Sequence, residues 1–205
     1  MKKIKVCVAL LLATVATVSA QNGREILDKI QKANESLTSI VCDFRQTTHF
    51  PFLEEDAQSN GKLYYRTPAR LLLEYEQPEG DWILVREDQI SISMMDQYRK
   101  ISAKTVPAAK FLHTIFASCL EGNPRRIDGI TISAYERADY YEVLVSIGSE
   151  KAENIKELKV RYDKKDMAMS MLCMEDPDGE YTLYELRGKK LNQPVADDIF
   201  IDPGR

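Results

Sequence analysis

The chain has two histidines, His49 and His113, and neither stands in a pattern that would activate it. No HExxH, GxSxG, GxGxxG or phosphate-cradling glycine loop occurs, so the familiar routes to metal-assisted hydrolysis, acyl transfer and nucleotide chemistry are missing. The acids Glu54-Glu55-Asp56 could serve calcium or acid–base work, but beside Phe50-Pro51-Phe52 they read as a solvated loop tip. Asp96, near Tyr98, is the best remaining acid for an unfamiliar hydrolase, yet no nucleophile or tuned base accompanies it. His113 shares a helical stretch with Phe111 and Ile115 and reads as a polar shoulder. What is plentiful is apolar surface of adaptable shape: Leu71, Leu73 and Tyr75, then Trp82 and Leu84, then Ile90, Ile92 and Met94, and later Met167, Met169 and Met171. Unbranched thioethers suit a surface that must accept flexible chains, although an ordinary β core could use them as gap fillers.

The ends and the composition narrow the classes further. Met1-Lys2-Lys3-Ile4-Lys5, an acid-free apolar run from Val6 to Val18, and Val18-Ser19-Ala20 before Gln21 have the three parts of a cleaved secretory signal peptide. The apolar run is shorter than the roughly 20 residues that span a bilayer. Cys7 lies inside it rather than at a cleavage point, so an exported, soluble, unlipidated product is expected. The expected organisation is therefore 1–20 as signal peptide and 21–205 as a single domain of ordinary size. Losing Lys2, Lys3 and Lys5 from 28 basic residues leaves 25 against 32 acids, a charge of −7. That sign disfavours nucleic acid and anionic membrane as partners. Cys42, Cys119 and Cys173 remain, an odd number without a CxxC pair, and are expected to be buried thiols.

The elements that must position these side chains follow from periodicity. Ile26, Leu27, Ile30, Ala33 and Leu37 recur at helical spacing, predicting a first helix over 24–38. The period then becomes two, predicting strands at Ile40–Thr47, Gly61–Arg66, Arg70–Glu76, Trp82–Arg86, Ile90–Met94 and Tyr98–Ala103. Phe111, Leu112, Ile115, Phe116, Cys119 and Leu120 mark a second helix over 109–121, stopped near Gly122-Asn123-Pro124. Strands resume at Ile130–Glu136, Tyr140–Ile147, Ile155–Tyr162, Met167–Met174 and Tyr181–Arg187. About eleven antiparallel strands with two helices imply a mainly-β fold built on a wide, strongly curved sheet, since such a sheet must curl, split into two layers or close on itself, with the helices as the available cover. Two short helices are expected to leave part of the inner face uncovered, an apolar cavity suited to a ligand.

The residues expected to line that cavity are Phe44, Leu71, Leu73, Tyr75, Trp82, Leu84, Ile92, Met94, Met169 and Met171, with Ile26, Ile30, Phe111 and Ile115 from the lid. The assignment depends on strand phase, because a one-residue slip turns a whole strand inside out.

Several stretches, in this order, resemble the periplasmic outer-membrane lipoprotein carriers, the LolA-like family. They are Cys42-Asp43-Phe44-Arg45-Gln46 with its F-x-Q, Gly61-Lys62-Leu63-Tyr64-Tyr65-Arg66-Thr67-Pro68, Leu71-Leu72-Leu73-Glu74-Tyr75-Glu76-Gln77-Pro78, and Asp198-Ile199-Phe200-Ile201-Asp202-Pro203. The resemblance implies an unclosed β-barrel with the helices as a lid over an apolar cavity, and a monomeric periplasmic carrier without cofactor. Such a carrier takes lipoprotein acyl chains from an inner-membrane lipoprotein-releasing transporter and passes them to an outer-membrane acceptor. The chain departs from the family in three places. Thr67 precedes Pro68 where the family commonly has a lid-holding arginine, Leu73 replaces a tryptophan, and Glu87-Asp88 replaces an Asp-Gly turn. Beside lipoprotein carriage stand two alternatives: a carrier or sensor of another lipid, and a non-catalytic protein-interaction module.

Overall fold

A computed structural model describes residues 22–86, 89–148 and 155–202, and of Pro107 and Ala108 the backbone alone. The expected signal peptide, Glu87-Asp88 and residues 149–154 lie outside the described residues.

Helix α1 spans 22–34. Six strands follow: β1 (Ser39–His49), β2 (Ala57–Arg66), β3 (Arg70–Gln77), β4 (Trp82–Arg86), β5 (Gln89–Met94) and β6 (Gln97–Ser102). Helix α2 (Pro107–Leu120) then leads to β7 (Ile130–Glu136), β8 (Tyr140–Ile147), β9 (Glu157–Asp163), β10 (Met169–Glu175) and β11 (Tyr181–Leu191). The strands form one sheet in the order β6-β5-β4-β3-β2-β1-β11-β10-β9-β8-β7, with antiparallel pairing throughout. Two meanders are thus joined where β1 meets β11, and the sheet is not closed. No helix among the described residues is long and apolar enough to cross a membrane.

The sheet must curl. Helix α2, 14 residues long, extends about 21 Å, yet it touches both β6 and β10. Those strands are seven pairing steps apart, about 34 Å if the sheet were flat. Only a sheet wrapped around the helix satisfies both.

The main core lies between the inner face and the helices and includes Ile30, Ile115, Leu120, Val143, Leu158 and Val160, all without exposed surface. A second, smaller cluster of Leu72, Trp82, Leu84, Val195 and Phe200 occupies the outer face. The C-terminal segment forms it by strapping back across β2 to β4. Arg66 donates to the Val195 carbonyl at 2.8 Å and pairs with Asp197, while Arg70 reaches Asp197 at 2.6 Å and Tyr98 donates to buried Asp202 at 2.5 Å.

Gly61 fixes the bend between β2 and β3. A Cβ there would stand 2.0 Å from the Glu74 carbonyl oxygen, so only glycine allows the approach. The register slips at Asn60/Gly61, and Phe44, cross-strand from Gly61, packs edge-on against Tyr75, the partner of Gly61 on β3.

Candidate functional site

The inner face is a ladder that can be followed strand by strand. Ile40, Tyr65, Leu71 and Val85 lie in one row, and Cys42, Leu63, Leu73 and Ile83 in the next. Ile90 and Ile92 then continue from Val85 and Ile83 onto β5. Of the residues expected to line a cavity, Phe44, Leu71, Leu73, Tyr75 and Met169 are in the main core, and Ile92 and Met94 pack against it half-buried. Ile26, Ile30 and Ile115 reach the same core from the helices, with Phe111 half-buried beside it.

Three residues fall elsewhere. Trp82 and Leu84 face outward, opposite Glu74 and Leu72, under the C-terminal strap. Strand β4 is apolar on both faces because both are covered, and composition therefore carries no phase. The missing signal was the tight β4–β5 hairpin: pairing Arg86 with Gln89 forces Ile83, not Trp82, opposite Ile92. Met171 also turns outward, opposite Glu185 and Arg161, because a register shift between Met169 and Met171 breaks the alternation and returns Leu172 to the core.

Helix α2 is more deeply buried toward its C-terminal end than toward its N-terminal end. At the C-terminal end of α2, Ile115, Cys119 and Leu120 are fully buried. The Tyr65 hydroxyl donates to the Glu121 carboxylate, which also pairs with Arg126, and the Tyr162 hydroxyl donates to the Cys119 carbonyl at 2.9 Å. Burial, reinforced by the carboxylate of Glu121, pushes the Tyr65 hydroxyl well above the usual phenol range, so it stays a donor. Of the described side chains in the N-terminal half, Ala109 alone is buried in the core, while Lys110 and Leu112 are exposed, Phe111 and His113 are half-exposed, and the His113 Nε2 contact with the Ala69 carbonyl is long at 3.4 Å. Near this half, Ile83, Ile92, Met94, Phe111 and Phe116 pack on the core while keeping part of their surface in solvent. The uncovered apolar surface is therefore narrower than expected, since the face beneath α1 and the end of α2 is closed.

A polar stripe crosses this apolar surface. Tyr184 hydrogen-bonds Tyr75, whose hydroxyl donates to Gln46 Oε1 at 2.6 Å, and Gln46 in turn donates to Thr48 Oγ1 at 3.2 Å. Burial pushes the Tyr75 hydroxyl up to about 12. Phe44 packs edge-on to Tyr75 at 5.1 Å, and Phe116 from the lid meets Tyr184 at 5.4 Å. Clefts of about 580, 470 and 360 Å³ lie at strand ends and helix termini and carry charged linings, as with Arg70, Arg86 and Lys104 in the largest.

Other candidate chemistry is dispersed. Asp96 is an exposed turn residue with φ 59°, while the Tyr98 hydroxyl is spent on Asp202. Among the described residues no group of three or more His, Cys, Asp or Glu could hold a metal ion. Cys42, Cys119 and Cys173 are unpaired, and burial pushes the first two up to about 12.

No curated protein matches the chain in sequence. Solved structures share its fold at low identity. The complex of MucA and MucB from Pseudomonas aeruginosa superposes with a TM-score of 0.55 at 10% identity, over 89% of this chain and 62% of that one. A DUF1329 family protein from Desulfovibrio piger gives 0.51 at 10%, over 89% and 97%. A putative outer membrane lipoprotein-sorting protein domain from Vibrio parahaemolyticus gives 0.50 at 10%, over 89% and 97%. The profile of the family described as outer membrane lipoprotein carrier protein LolA matches residues 35–201, from the end of α1 to the C-terminal strap, and the chain therefore belongs to the LolA family.

Proposed function

We propose that this protein is a periplasmic carrier that shelters the acyl chains of lipoproteins on its inner face and ferries them from the inner to the outer membrane. The observation that carries the reading is the half-covered apolar surface of Ile83, Ile92, Met94, Phe111 and Phe116 beside the partly exposed N-terminal half of α2. Lifting that half about its pinned C-terminal end would widen the surface by withdrawing Ala109 and Phe111 while leaving the contacts of Ile115, Cys119 and Leu120 in place. Each methylene then taken from water stabilises the complex by about 0.8 kcal/mol, which suits reversible holding. The leader-like residues 1–20 supply the route of export. On this reading the donor is an inner-membrane lipoprotein-releasing transporter and the acceptor an outer-membrane protein.

The test is uptake of a fluorescent fatty acid and of an acylated peptide by delipidated protein. Wild type binds one-to-one, Ile92→Glu and Phe111→Glu lose uptake while remaining folded, and Thr131→Glu, exposed on the outer face, is unaffected. Equal uptake by all four proteins would sink the reading.

A further inference from the structure

The β1–β2 hairpin extends beyond its neighbour β3. Strand β3 stops at Gln77, opposite Asn60, whereas β2 continues to Ala57. Three further residues at about 3.3 Å each carry the hairpin about 10 Å past that edge. Its tip exposes Phe52 to 79% and Leu53 to 49%, the largest adjoining pair of apolar side chains left in solvent among the described residues.

The tip is also held in shape. Leu53 N–H donates to the Phe50 carbonyl at 2.9 Å, and the Phe50 and Phe52 rings lie 5.6 Å apart. At its base His49 Nδ1 meets Asp56 at 2.7 Å, and the Tyr181 ring stacks on His49 at 4.9 Å. An exposed aromatic on a braced loop loses little conformational freedom on docking, which is the property of interface anchors.

Charge decides what it docks to. The loops 50–56, 77–81 and 176–180 lie at the same end of the sheet and contain eight Asp or Glu and no Lys or Arg, and Lys156, from the β8–β9 connection at that end, is paired with Glu175 at 3.8 Å. An anionic bilayer would be repelled by this rim. We infer that the Phe52–Leu53 tip is a docking prong for a partner protein whose surface offers an apolar pocket inside a rim of Lys and Arg. The prong is separate from the lid surface, so it stands whether or not that surface holds acyl chains.

The probe is a 14-residue amphipathic Leu/Lys peptide, with its Leu/Glu counterpart and anionic phosphatidylglycerol vesicles as comparisons, titrated against the full chain by fluorescence anisotropy. The expected result is saturable one-to-one binding of the Leu/Lys peptide that weakens about tenfold or more in Phe52→Ala and in the charge-reversed pair Glu54→Lys with Glu55→Lys. It also weakens with added salt. The same variants keep the wild-type circular dichroism spectrum and urea-unfolding midpoint, which reports that they are folded independently of any acyl uptake. Peptide affinity unchanged by Phe52→Ala, or Phe52-dependent binding to the vesicles in place of the cationic peptide, would overturn the inference.

Discussion

The hydroxyl of Tyr65, in the second strand, donates to the carboxylate of Glu121, the residue that ends α2, and so ties the sheet to the fixed end of the lid. The family's usual arginine before the turn proline is absent, because Thr67 stands there, and this pair sits two residues away on the same strand end. Removing the hydroxyl in Tyr65→Phe keeps the packing and leaves Glu121 with Arg126. A hydrogen bond to a charged group is worth about 2 kcal/mol. The variant should remain folded, with faster hydrogen exchange across 107–120 and faster acyl uptake; unchanged exchange there would show that the bond does not restrain α2.

The two faces of β4 separate stability from binding. Trp82→Ala removes a large side chain from the outer cluster and should cost about 3–5 kcal/mol in urea unfolding. Acyl affinity of the folded fraction should be unchanged. Ile83→Glu, half-exposed on the inner face, should do the reverse.

Gly61→Ala should be among the most damaging small changes. The added carbon meets backbone atoms, the Glu74 carbonyl oxygen at 2.0 Å and Tyr75 Cα at 2.8 Å, so neighbours cannot rotate away. A loss of about 3 kcal/mol or more is expected in denaturant titration. Wild-type stability would disprove the close approach of β2 and β3.

Thiol labelling should sort the cysteines. Cys42 and Cys119 are buried and pushed up to about 12, while Cys173 is half-exposed. Burial raises the Cys173 thiol as well, so at pH 8 it should react slowly in the folded protein and the other two only on unfolding. The sign of the linkage follows: a pKa raised by folding stabilises fully below the unfolded value near 9 and loses that contribution as pH rises toward 12. The midpoint of urea unfolding should therefore fall above about pH 9, and less steeply in Cys42→Ala.

Period-two alternation and turn residues were enough to read eleven strands and two helices, because each is a local property. Strand ends were harder. The polar run Gln58-Ser59-Asn60 carries no apolar period and joins β2 only because β1 offers it partners, and β11 runs on past Gly188, with φ 62° at a register shift.

What the residues by themselves determined is the element order, the inward set on β3 and β5, and family membership. Tyr75 stands between Glu74 and Glu76, and Ile92 and Met94 alternate with Ser91 and Ser93, so one face of each strand is marked even though Leu72 separates Leu71 from Leu73. Tertiary structure alone decided the facing of Trp82, Leu84 and Met171, the narrowness of the uncovered surface and the pinned end of α2. A doubly covered strand has no polar side to mark its phase, a bulge resets phase without altering composition, and Tyr65 finds Glu121 across 56 residues only when the sheet curls around the helix.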